Sequence, residues 1–200
     1  MNYYVVKYSG PFGFIKPWTA VRDGGKPIEI HTFSQQFLTP SIVEGIEKKL
    51  FPEALSISGI HKIVGHRISY DQVSGQQEVI QTRGWNSTRK GKEFLFDRPK
   101  AILVRGVLQN PILHLAFLNK EEAISAAEQH VCLCRNEDML FPELISESTK
   151  EEFEINDEKY TGFELVFEKN EKSFLVGYHR VSNEPMYGWI RIVGQPVIAV

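Results

Sequence analysis

The chain has 200 residues, of which 42% are hydrophobic and 24% charged, and its formal net charge is −2. This composition is ordinary for a globular protein of one domain or two small ones. The N-terminal MNYYVVKYSG has no cationic segment before an apolar run, and no stretch reaches the roughly 18 apolar residues of a membrane span. We expect a cytoplasmic protein with neither a signal peptide nor a membrane partner.

The first quarter of the chain predicts a strand, a long loop and a helix. Tyr3–Tyr8 is rich in β-branched and aromatic residues and precedes a Ser-Gly-Pro turn, as a strand would. Residues 10–36 are rich in Gly, Pro and isolated aromatic residues, and predict a loop with a short strand at Pro27–His31.

The helix is predicted to begin at Thr39 or at Ser41, since either side chain could cap it. With Ser41 as the cap, Glu44 would complete a capping box. The dipeptide at Phe51 and Pro52 ends the helix, because proline disfavours helical geometry in the residue before it.

In the middle of the chain, predicted strands alternate with turns, and a second helix follows. The short runs Gln76–Ile80 and Phe94–Phe96 could pair as the two arms of a hairpin, and the residues between them would form its tip. The predicted elements are a strand at His61–Tyr70, the hairpin arms at Gln76–Ile80 and Phe94–Phe96, strands at Ala101–Val107 and Ile112–Leu118, and a helix at Glu121–Gln129.

A further strand after the second helix completes the order β-α-β-β-α-β, which is the ferredoxin-like order. The sequence therefore predicts an α+β fold: a ferredoxin-like (RRM-like) domain over residues 1–145, with an inserted β-hairpin at about 74–100. From Phe153 onward the short runs FEIN, FELVFEK, SFLVGYHRV and WIRIVGQPVIAV predict a small β-rich C-terminal subdomain over residues 146–200.

Charge is distributed unevenly along the chain. Residues 83–105 hold seven cations and two acids, a net charge of +5, whereas residues 143–171 hold ten acids and three lysines, a net charge of −7. The decapeptide RGWNSTRKGK at 83–92 adds a Trp and two Gly residues to four of those cations. Cations that meet phosphates beside a ring that stacks on an unpaired base favour single-stranded RNA as the ligand.

Four segments, in this order, resemble the small backbone subunit of CRISPR Cascade complexes, the fifth CRISPR-associated protein family of the RAMP superfamily. They cover about two thirds of the chain with the intervening sequence. The four segments are SGPFGFIKPW at Ser9–Trp18, FLTPSIVEGIEKKLF at Phe37–Phe51, DRPKAILVRGVLQNPILHLAF at Asp97–Phe117 and CLCRNEDMLFPEL at Cys132–Leu144.

The resemblance implies that the hairpin is the family's thumb, which holds the 5′ handle of a CRISPR RNA, and that the partners are the backbone subunit and the large subunit of Cascade. It also implies that the handle backbone lies near Ser41, at the start of the first helix. The basic and aromatic loop Phe12–Arg22 could extend the RNA path or contact a partner subunit. The candidate RNA-binding residues are Lys16, Trp18, Arg22, Ser41, Arg83, Trp85, Asn86, Arg89, Lys90, Lys92, Arg98, Lys100 and Arg105.

Members of one branch of this family also cut the precursor RNA, and the resemblance implies that they use a Tyr near the end of the first helix and a Lys-His pair before the second. Aligned on Gly45, the Tyr position holds Phe51, and the pair would fall near Lys120, where no His follows. Metal-free RNA cleavage needs a base and an acid. We therefore expect no catalytic residues.

Other sites are not indicated. His61, His66, His114 and His130 are expected to be satisfied structural histidines, and Cys132 and Cys134 have no second pair with which to complete a metal site. No cofactor and no metal are predicted. Two alternatives to an RNA-binding subunit stay open: an endoribonuclease with a rearranged site, and a stand-alone RNA-binding or protein-interaction module of ferredoxin-like fold.

Overall fold

The structure, a computed structural model, describes residues 1–16, 29–81, 84–156, 158–178 and 182–198. The strands are β1 (Asn2–Ser9), β2 (Phe12–Gly13), β3 (Glu29–Phe33), β4 (Ile63–Ser69), β5 (Val73–Gln81), β6 (Asn86–Lys90), β7 (Glu93–Asp97), β8 (Lys100–Gln109), β9 (Ile112–Phe117), β10 (Val131–Cys132), β11 (Met139–Thr149), β12 (Gly162–Val166), β13 (Phe174–Tyr178) and β14 (Pro185–Val193). The helices are α1 (Pro40–Leu50), α2 (Lys120–Ala127) and α3 (Lys150–Ile155), with a 3₁₀ turn at Pro52–Ser56. The fold is α+β, as predicted.

The largest sheet has eight strands in the order β10-β11-β1-β9-β4-β12-β14-β13. Its neighbouring strands all run antiparallel. Four consecutive strands of this sheet are β11, β1, β9 and β4. Numbered by their order in the chain, they lie in space as fourth, first, third, second. Helix α1 connects the first to the second, and α2 follows the third.

The main core lies between this sheet and the helices α1 and α2. Alternation along β1 sends Val6 and Tyr8 into this core, together with Ile46 of α1 and Ala126 of α2. The Tyr8 hydroxyl donates a hydrogen bond to the carbonyl of Ala126 at 2.7 Å, which fixes α2 on the sheet. On the opposite face of the sheet, a smaller cluster forms around Phe153 of α3.

Helix α1 also holds the start of β4 through a buried carboxylate. Both oxygens of Glu47 accept backbone N–H bonds, from His61, Lys62 and Ile63, each at 2.8 Å. Three such bonds satisfy a group that would be costly to bury alone.

Among the described residues, no helix is long and apolar enough to cross a lipid bilayer.

The C-terminal region differs from the prediction at FEIN, and its strands join the main sheet. FEIN was expected to be a strand, but Phe153 lies in α3, whose N-cap, Thr149, accepts a hydrogen bond from the N–H of Glu152 at 3.0 Å. The strands β12, β14 and β13 extend the main sheet, since β12 pairs with β4 at Phe163 and Ile68. The predicted boundary at residue 146 falls inside β11.

The inserted hairpin has two segments. Its base is the pairing of β5 with β8, from Val73 and Leu108 to Gln81 and Lys100, and its distal part is the pairing of β6 with β7. Strand β8 also pairs with β2 and β3 along its other edge. The predicted pairing of the two arms was wrong, because the long apolar run of β8 is the partner of β5, whereas Phe94–Phe96 pairs with residues 87–89.

Candidate nucleic-acid interface

The distal hairpin, β6 and β7, carries most of the predicted RNA-binding residues; we call it the ribbon (residues 86–97). Its two strands are exposed at every position. The turn consists of Gly91 and Lys92, and Gly91 has φ 64°, as the first residue of a two-residue hairpin turn commonly requires. The stretch that was predicted to be a loop tip is therefore mostly the strand β6.

Two arginines of the ribbon region lie over aromatic rings. The guanidinium of Arg89 is 5.9 Å from the ring centre of Phe94, directly across the ladder, and that of Arg98 is 5.6 Å from the ring of Trp85. The Arg89 Nε also donates to the carbonyl of Gly91 at 3.0 Å. These contacts orient the cations while Trp85, 64% exposed, remains outside the core.

Lysines and a polar residue complete the basic surface of this region. Asn86, Lys90 and Lys92 are exposed on the ribbon, and Lys100 is exposed where β8 begins. Arg83, like Trp18 and Arg22 of the N-terminal loop, lies outside the described residues. Surface cations on a projecting two-stranded element can reach phosphates on a ligand with little steric obstruction.

Arg105 occupies a different environment from these cations. Its Nε donates to Glu78 at 3.1 Å, and its guanidinium lies 5.3 Å from the ring centre of Phe14. At about 3.4 Å per strand residue, Arg105 lies roughly 17 Å along β8 from Lys100, where the strand begins. Its contacts favour a structural role at the base of the hairpin.

Arg135, which sequence reasoning missed, shares that environment. It donates to Glu78 at 2.8 Å and to the fully buried Asp138 at 2.6 Å, and its guanidinium is 5.7 Å from the ring centre of Phe14. The hydrogen bond with Asp138 is the largest of the effects that raise the pKa of Arg135. Glu78 is 57 positions away in the chain, so no local pattern signals the pair. The cluster ties the hairpin base to the body.

The start of α1 differs from the capping-box prediction. The N-cap is Thr39, and Ser41 lies inside the first turn, with its Oγ 3.1 Å from that of Thr39. Glu44 instead accepts a backbone bond from Gly59 at 3.1 Å and pairs with Lys48 at 2.6 Å. Pro40 suits the first helical position, so the helix begins one residue before Ser41.

Ser41 lies at the edge of a cleft of about 640 Å³ between this helix start and the C-terminal strands. Phe167, Tyr178 and Tyr187 contribute aromatic side chains to its lining. Lys16, the remaining predicted contact, is exposed after β2.

Phe51 and Lys120 are the positions that the sequence resemblance aligned with the catalytic groups of the cutting branch. Phe51 is buried, with the Nζ of Lys62 at 4.1 Å from its ring centre and the ring of Phe117 at 5.9 Å. Lys120 begins α2 and lies 3.4 Å from Glu147. Phe51 has no ionisable group, and the exposed ammonium of Lys120 is paired with a carboxylate.

Two of the four histidines singled out from the sequence are buried in the main sheet. Burial lowers the pKa of His66 and of His114 to about 4, so both rings are neutral near pH 7. Among the described residues, His66 Nε2 and His114 Nδ1 have no hydrogen-bond partner, so the expectation that these histidines are satisfied was wrong. His61 contacts the carbonyl of Ser58 at 2.9 Å, and His130 is exposed beside Phe141.

Within the ranges that the structure describes, no three His, Cys, Asp or Glu side chains lie close enough to hold a metal ion. Cys132 and Cys134 are free thiols; Cys132 is partly buried and Cys134 is exposed. A comparison with models of known protein families found no match, and no curated protein matches the sequence.

Proposed function

We propose that this chain is a non-catalytic CRISPR RNA-binding subunit that caps the 5′ handle in a Cascade-type complex. Its body would be a ferredoxin-like domain, because the fourth-first-third-second order of the strands β11, β1, β9 and β4 is the order expected of that fold. The ribbon with its hairpin base would be the thumb. The observation that carries the proposal is the exposed ribbon, which holds Arg89, Lys90 and Lys92 in four consecutive positions.

The ribbon would bind mainly through phosphates, because a cluster of cations attracts a polyanion and releases condensed counterions. The ion-pair cluster around Arg135 supports this role, since it holds the base of the hairpin against the body. The cleft beside Ser41 would bind the sugar-phosphate chain of the RNA where it leaves the ribbon, or it would contact two partner proteins, the backbone subunit and the large subunit of the complex.

Reversal of three ribbon charges tests the proposal. We expect Arg89→Glu, Lys90→Glu and Lys92→Glu together to weaken binding of 5′-handle RNA at least tenfold, measured by fluorescence anisotropy. The salt dependence should also fall, by about 2 in the slope of log K against log salt, since three phosphate contacts are lost.

The matched control reverses Lys120, Lys150 and Lys172, which are exposed outside the ribbon. It changes the net charge equally and should leave affinity within about twofold, since counterion release depends on local phosphate contacts. If both triple variants weaken binding alike, the ribbon is not the RNA surface.

The absence of nuclease activity is a separate expectation. Phe51 has no hydroxyl and is buried, and the two buried histidines are far from protonation at pH 7. Since a positioned acid or base contributes roughly 10²–10⁴-fold, we expect labelled repeat RNA to yield no specific product, with or without divalent metal. A specific product that is lost in His66→Ala or His130→Ala would instead identify an endoribonuclease with a rearranged site.

A further inference from the structure

We propose that one face of the ribbon, formed by Ser87, Arg89, Phe94 and Phe96 and continued by Trp85 and Arg98, is a stacking platform for unpaired RNA bases. This inference rests on the proposed function and deepens it, because it names the side of the ribbon on which the bases stack, whereas the cations proposed to contact phosphates lie on both faces and in the turn. The aromatic residues of β7 were not among the contacts predicted from the sequence.

Strand pairing defines this face. Ser87 lies opposite Phe96 and Arg89 opposite Phe94. Side chains of directly opposed residues point to the same side of a two-stranded ladder, and successive residues alternate between sides. The contact of Arg89 with Phe94 agrees with this assignment.

One residue beyond each strand end, the same alternation assigns Trp85 and Arg98 to this face, and their contact at 5.6 Å places them together. The opposite face carries Asn86, Thr88, Lys90, Glu93, Leu95 and Asp97. All the aromatic side chains of the ribbon thus lie on one side, which we call the aromatic face.

The rings of this face are exposed to solvent in the part of the chain that the structure describes. Phe94 is 60% exposed, and Phe96 and Trp85 are each 64% exposed. Large apolar groups that project together into solvent indicate a binding surface. Two arginines lie among the rings of this face, so its chemistry is both apolar and cationic, which complements a base with its phosphate better than it complements an apolar protein helix.

The spacing of the rings also suits bases. Phe94 and Phe96 are two residues apart on one strand, so their side chains emerge about 7 Å apart. A stacked nucleotide occupies about 3.4 Å, and one base therefore fits between the two rings. Bases in an RNA duplex are already paired and stacked, so the aromatic face selects single-stranded RNA. Stacking engages every base, so little sequence preference is expected.

The experiment compares the two faces of the ribbon. The probe is a short single-stranded RNA with 2-aminopurine in place of one adenine, whose fluorescence changes when the base stacks. Phe94→Ala and Phe96→Ala alter the aromatic face, and Leu95→Ala is the matched control, because Leu95 lies between them on the opposite face and is 51% exposed. Circular dichroism verifies that each variant is folded.

We expect each Phe variant to lose at least fivefold in affinity and to lose the fluorescence change, since one stack contributes about 1–3 kcal/mol, or roughly 5- to 150-fold. Leu95→Ala should remain within twofold of the parent, and the duplex form of the probe should bind more weakly to the parent. Trp85→Ala is expected to behave like the Phe variants.

The outcomes separate the two proposals. If the parent binds the probe but Phe94→Ala, Phe96→Ala and Leu95→Ala bind alike, the aromatic face is not a stacking platform, although RNA binding stands. If the Phe variants change oligomeric state and leave RNA affinity intact, the face is a protein contact and the inference is overturned. If the parent binds no RNA at all, the proposed function itself fails.

Discussion

The substitution Glu164→Gln should lower the free energy of unfolding by about 3 kcal/mol. In the described part of the chain, Glu164 supplies the only carboxylate that contacts the fully buried Arg67, and the substitution removes its charge. The guanidinium of Arg67, with none of its side chain exposed, lies 3.3 Å from Glu164 Oε2, and Arg191 lies 3.2 Å from the same oxygen. Removing the carboxylate charge leaves Arg67 bonded to backbone carbonyls such as that of Tyr160, at 3.1 Å.

Urea denaturation measures this effect, with Glu147→Gln as the control. Glu147 also pairs with a cation, Lys120, but both side chains are more than half exposed, so its loss should cost less than about 1 kcal/mol. Equal costs for the two substitutions would show that the buried pair does not hold the C-terminal strands on the central sheet.

The stability of the protein should fall steeply as the pH is lowered from about 6.5 to 4. His66 and His114 have a pKa of about 4 in the folded state against 6.5 as the ordinary value. Between these values the unfolded chain binds protons that the folded chain excludes, so unfolding becomes easier as the pH drops. Each histidine contributes up to about 3 kcal/mol, which is fully present above pH 6.5.

Denaturation at a series of pH values tests this linkage. His66→Gln and His114→Gln should each reduce the slope of the unfolding free energy against pH by about 1.4 kcal/mol per pH unit in this window. A slope that neither variant changes would mean that other groups govern the acid sensitivity.

The sequence predicted the elements whose signals are local. Strand β1, helix α1 and the pair β8 and β9 lie within two residues of their predicted bounds, because apolar runs there end at Gly, Pro or Asn. The four letters of FEIN were insufficient to distinguish a strand from the six-residue helix α3, since one turn of helix and a short strand both accept an apolar residue at every second or third position.

The pairing of the hairpin could not be predicted from its short runs, because register depends on which neighbour is available in the folded sheet. The pairs that organise the molecule are equally non-local: Arg67 and Glu164 are 97 positions apart. The basic character of the ribbon could be predicted from its composition. Its aromatic face was not, because it follows from the register of two strands.

Ultraviolet crosslinking of the purified protein to 5′-handle RNA, followed by mass spectrometry of the attached peptides, measures whether the ribbon contacts the RNA. We expect crosslinks at Trp85, Phe94 and Phe96, and their loss when excess single-stranded RNA competes. Crosslinks confined to peptides outside residues 83–100, from a protein that binds the RNA, would contradict this expectation.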